Sequence, residues 1–164
     1  MKICALAATR GALRMAKLSG LAALAFALFS PAFASLGGDV GSVQQDQARI
    51  KGTIQLHASG PYTVHEITAP TGTTVREYVS PEGRVFGVAW QGPFVPDLKQ
   101  ILGTYFQQYS AAVRTRKATY VGRRPLNIQE PGLVVQSSGH MRAYFGRAYV
   151  PDMLPQGVTE EVIR

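Results

Sequence analysis

Four short segments that alternate apolar and polar residues, each closed by a turn signal, constrain this chain more than anything else in it. Thr53–Ala58, Tyr62–Ala69, Thr73–Ser80 and Arg84–Gln91 have the period of two that half-buried strands require. Ser59-Gly60-Pro61, Ala69-Pro70-Thr71-Gly72 and Ser80-Pro81-Glu82-Gly83 separate them. In the last two, Pro presets the first turn residue and Gly takes the left-handed position from which the next strand can pair back. Loops this short join antiparallel neighbours, so the segments are predicted to form a meander.

The period then changes. Leu98, Ile101, Leu102, Tyr105, Phe106, Tyr109 and Val113 make a continuous apolar stripe, which predicts one amphipathic helix from Pro96 to about Val113. Ser42 and Gln45 fit a capping box for a short earlier helix ending near Ile50. Arg114–Arg124 reads as a basic connector, and Leu133–Ser138 with Met141–Val150 as a last hairpin around Ser138-Gly139. The fold class that results is α+β: an antiparallel meander sheet of about six strands, covered by one main amphipathic helix, with a short N-terminal helix.

The first 34 residues follow another logic. Their only charges are Lys2, Arg10, Arg14 and Lys17; an apolar run Leu18–Phe29 follows, then Ser30-Pro31-Ala32-Phe33-Ala34. A positive start, a short apolar stretch and small residues at Ala32 and Ala34 are the parts of a secretory signal peptide, with cleavage expected between Ala34 and Ser35. A membrane span needs about 20 apolar residues, more than this run supplies before Pro31. The expected product is a single domain, 35–164, in the periplasm or secreted, with no transmembrane anchor. Losing four cations takes its net charge from +7 to +3, so bulk charge does not argue for nucleic acid. The only cysteine, Cys4, leaves with the segment, so the domain rests on its core without a disulfide.

Candidate chemistry concentrates in the last hairpin. Alternation through it places Met141, Ala143 and Phe145 on a core face and His140, Arg142 and Tyr144 on the other, with Gln136 nearby. A donor, a cation and an aromatic hydroxyl in a row suit a carboxylate or phosphate, although a solvated strand face has the same composition. Arg114, Arg116, Lys117, Arg123 and Arg124 could meet an anionic membrane surface or an acidic partner, or simply follow a helix C-terminus. Trp90, Phe94, Tyr105, Phe106 and Tyr109 are expected to cluster where the fourth strand meets the main helix. His65 and Glu66 are neighbours on one strand and so point to opposite faces. His57, His65 and His140 lack metal-ligand spacing, and neither a metal nor a cofactor is expected. Ser137 and Ser138 lie near His140 without a Gly-x-Ser-x-Gly elbow. The expected function is therefore non-enzymatic: a binding or accessory protein for an envelope protein or small anion. The alternative is a hydrolytic or modifying enzyme of envelope material using His140 with Ser137, Arg142 or Glu66.

Several blocks carry a resemblance. Tyr62–Glu66, Val75–Phe86, Val88–Pro93, Leu133–Ala143 and Pro151 with Leu154-Pro155 resemble the domain-of-unknown-function 2844 family of Gram-negative bacteria, across nearly all of the mature chain. The Arg114–Arg124 stretch matches it least. The resemblance implies a small exported protein and carries over no catalytic residues.

Overall fold

In the computed structural model the described residues are 36–119 and 125–164, without the side chains of 117–119. The segment expected to direct export, with Ala32, Ala34 and Ser35, lies outside them, as do Arg123, Arg124 and the side chain of Lys117.

The meander is present. Strands β1 (Thr53–Ala58), β2 (Thr63–Thr68), β3 (Thr74–Val79) and β4 (Val85–Gly92) pair in sequence, each antiparallel to the last. The two Pro-x-Gly loops close as expected. Gly72 and Gly83 sit at φ 83° and 77°, and their N–H groups donate to Ala69 O and Ser80 O, both at 2.9 Å. Three further strands, β5 (Leu126–Glu130), β6 (Leu133–His140) and β7 (Ala143–Tyr149), complete a seven-stranded sheet in the order β1-β2-β3-β4-β7-β6-β5. The chain leaves β4, crosses one face as helix, enters at the far edge as β5, and returns to lay β7 against β4.

Two boundaries differ from the sequence reading. β5 was missing from it, because five residues with only Leu126 and Ile128 apolar give too short a period to recognise. The stretch after Val113 is helix rather than connector, as far as Thr119. The main helix is also not continuous. Asp97 caps α2 (Leu98–Leu102) by accepting from Lys99 N and Gln100 N; Gly103, at φ 50°, then breaks the ladder. One 3₁₀ turn, Gly103–Tyr105, leads into α3 (Phe106–Thr119). The i, i+3, i+4 stripe tolerates this because a single tight turn keeps the apolar residues on one side. Helix α1 spans Val40–Ile50, and its cap is Asp39, whose carboxylate accepts from Ser42 N at 3.0 Å, rather than Ser42 itself.

The sheet has two covered faces. On the helix side Val75, Val79, Val88, Trp90, Val135 and Ala148 pack under Val43, Ile101 and Leu102. Tyr105, Phe106 and Tyr109 border this core. Phe94 does not join them: it lies in the loop after β4 and is exposed. On the other face Tyr78, Phe86, Ala89 and Tyr149 pack against the chain after β7, whose Ile163 is fully buried. The Tyr78 hydroxyl fixes this segment twice, donating to Arg164 O (2.8 Å) and accepting from Arg164 N (3.0 Å). Tyr78→Phe should loosen it at a cost of about 1 kcal/mol. Amide exchange would show faster exchange at Ile163 and Arg164, with β3 unchanged; unchanged protection at Arg164 would refute the tether.

Candidate functional site

The last hairpin turns three residues later than its sequence suggests. His140 pairs with Ala143, so Met141 and Arg142 form the turn, and Arg142 takes the left-handed φ of 63°. This overturns the expected face. A two-residue turn resets the alternation: His140 falls on the same side as Gln136, Ser138 and Phe145, and Tyr144 falls on the other. Arg142 belongs to neither. The expected core positions are also outside: Met141 is 84% exposed and Phe145 55%. Four polar residues read as one row are thus dispersed, and only Gln136 remains within a recess.

That recess is on the sheet face opposite the helices. Gln136 stands across from Arg147, and Arg147 Nε donates to Gln136 Oε1 at 2.8 Å. Arg147 Nη1 reaches the final segment, donating to Glu160 O (2.8 Å) and Ile163 O (3.3 Å), and its guanidinium lies 5.9 Å from the Tyr149 ring centre. Beside this arginine opens a cleft of about 640 Å³ bordered by Gln91, Asn127, Ser138, Phe145 and the end of the chain. Its walls are mainly apolar with a few convergent polar groups, the usual make-up of a ligand pocket. A second cleft of about 510 Å³ flanks the final segment on its other side. It holds His57, Tyr62 and the ion pair of Arg76 with Glu66 (Nε–Oε2 2.7 Å).

The His140-centred constellation does not assemble. His140 is exposed and borders neither cleft. Ser137 points to the helix side, away from it, and Glu66 is on β2 with β3, β4 and β7 between. Of the basic cluster, Arg114 is exposed, while Arg116 reaches across to the backbone carbonyls of Asn127 and Pro125 and so fastens α3 to β5.

The chain's most unusual chemistry lies under α1 and went unread in the sequence. Asp46 and Glu77 are both fully buried, with their carboxyl groups close enough to interact, and neither Glu77 oxygen meets a hydrogen-bond donor among the described residues. Gln100 Nε2 donates to Asp46 Oδ1 at 2.6 Å. His65 stands opposite Glu77 across β2 and β3. Burial pushes the Asp46 carboxyl up to about 6, and burial together with the Asp46 charge holds Glu77 well above the carboxylate range. Burial lowers His65. Two carboxylates in such a place cannot both ionise, so they share a proton. The signal was available. Glu77 occupies the apolar register between Val75 and Val79, and Asp46 the stripe between Val43 and Ile50. His65 and Glu66 do separate to opposite faces, as their adjacency requires.

A family described as proteins of unknown function (DUF2844) matches residues 32–163, and the chain belongs to it. No curated protein and no solved structure matches the chain.

Proposed function

We propose that residues 35–164, freed of the leader, act in the periplasm or outside the cell as a non-enzymatic binding or accessory protein. The ligand is an anion with an apolar body, or an envelope partner presenting such a group, taken up in the cleft beside Arg147. The export reading rests on the pattern of Lys2 to Ala34. The observation that carries the binding reading is the pairing of Arg147 with Gln136 at the wall of the 640 Å³ cleft. A guanidinium held by a neutral amide and two backbone carbonyls keeps its charge available to an incoming carboxylate, because among the described residues no carboxylate pairs with it; Phe145 supplies apolar surface alongside.

Octanoate, with octanol as the uncharged control, tests this. Titration should shift the Arg147 Hε and Phe145 ring resonances with octanoate and far less with octanol. Gln136→Leu should change the affinity by about tenfold, the scale of one charge-assisted contact. Absence of any shift at millimolar octanoate would overturn the cleft reading. Export is tested separately, by the N-terminal residue of protein recovered from cells, expected to be Ser35.

A further inference from the structure

The two edges of the sheet are treated differently. β5 is defended: Pro125 and Pro131 flank it, Arg116 donates to the carbonyls of Asn127 and Pro125, and Gln108 Nε2 donates to Pro131 O at 2.9 Å. β1 has none of this. Thr53–Ala58 contains no Pro, no Lys and no acid, the usual blockers of edge pairing, and its Leu56 is 62% exposed.

The phase of the ladder decides which groups of β1 are open. Ser59 N–H donates to Tyr62 O at 2.9 Å, so the alternation turns the backbone groups of Thr53, Gln55 and His57 toward β2. Those of Ile54, Leu56 and Ala58 turn outward, and among the described residues nothing meets them. The open backbone positions are therefore the apolar ones.

We infer that β1 is a self-association edge, and that its occupant is β1 of a second copy of this chain, antiparallel about a two-fold axis through Leu56. Pattern and chemistry both select this occupant. In that register Leu56 faces its copy, Ile54 faces Ala58, and Gln55 faces His57. Apolar residues meet on the helix side and polar ones on the other. Every outward N–H and C=O of Ile54, Leu56 and Ala58 then has a partner, and no charge opposes a like charge. The pairing also changes a site. His57 stands at the open end of the 510 Å³ cleft, and the second copy sets its Gln55 beside that histidine, extending the cleft across both subunits. One strand buries less than a permanent interface does, so the dimer is a weak one, governed by concentration. The inference is independent of the cleft beside Arg147.

Sedimentation velocity of the purified protein should show a monomer–dimer equilibrium shifting toward dimer from micromolar to millimolar concentration. Leu56→Lys should abolish the dimer while leaving the melting temperature of the monomer unchanged, since this side chain packs on little. In a Cys4→Ser background, Leu56→Cys should form a covalent dimer under mild oxidation, and Thr53→Cys, displaced along the strand, should not. A wild-type chain that stays monomeric throughout would overturn the inference. So would a dimer indifferent to Leu56→Lys, equal cross-linking through Thr53→Cys, or a foreign strand found on β1 in place of the copy.

Discussion

Gly146→Ala should lower stability by about 3 kcal/mol, the upper range for forcing an added methyl into a packed core. Backbone preference predicts the opposite sign: Gly in a strand interior costs roughly 0.5–1 kcal/mol relative to Ala. Packing decides. A Cβ on Gly146 would lie 2.3 Å from Trp90 Cζ2, 2.6 Å from Cε2 and 2.8 Å from Gln136 O. The indole is fully buried among Val75, Val88 and the helices, so it has nowhere to move without disturbing them. Trp90 is the only tryptophan, so its fluorescence reports the site directly. A thermal melt of Gly146→Ala, read by that fluorescence, should show a lowered midpoint and a shifted native spectrum. Trp90→Phe in the same chain should recover part of the loss, because the clash is with the larger ring. A midpoint equal to or above wild type would mean the ring does not rest on this glycine.

Glu77→Gln should stabilise the protein at pH 8 and flatten its dependence on pH. The direction follows from proton counting. The ordinary values of these two carboxyls are 3.8 for Asp46 and 4.5 for Glu77, and both are raised in the folded state. The folded chain therefore holds protons that the unfolded chain has released. Their contribution is fully present below about pH 4 and is lost as pH rises. For Asp46 the loss runs from its ordinary 3.8 to about 6 and amounts to about 3 kcal/mol; Glu77 extends the fall to higher pH. Other groups near the pair are His65 on β2, Arg49 on α1 and Asp97 at the start of α2, the last two acting through their charge on Asp46. His65 works against the pair: its lowered value costs stability as pH falls below 6.5. Gln at 77 keeps a donor for Asp46 and removes the like charge. Its melting temperature at pH 8 should exceed that of wild type by about 5 °C or more, with the two converging near pH 4. Parallel melting curves for the two proteins between pH 4 and pH 8 would show that the pair shares no proton.

Much of the fold was legible because it depends on short-range rules. Pro70, Gly72, Pro81 and Gly83 dictate two hairpins through their own backbone limits, and the alternation of Thr53–Gln91 needs nothing else to become four strands. The stripe from Leu98 to Val113 survived a broken helix, since burial follows the side of the chain and not its regularity. The hairpin of β6 and β7 was misread because Ser138-Gly139 is the stronger turn signal in sequence. The register of β7 against β4 places the turn at Met141-Arg142 all the same. Shifting a turn by three residues moved His140 and Tyr144 to opposite faces and emptied the candidate row of all but Gln136. Arg147, the centre of the cleft, looked like any strand arginine until the final segment was seen folded beside it.

Local sequence, then, determined most of the element types, the antiparallel meander and the apolar faces of its strands and of the main helix, because dihedral limits and periodicity act within a few residues. Tertiary structure alone decided the order β4-β7-β6-β5, the meeting of Asp46 with Glu77, and the closing of the last segment over Arg147 and Tyr78. Those features join residues tens of positions apart. Their energies come from desolvation and long-range contact, which no local pattern records.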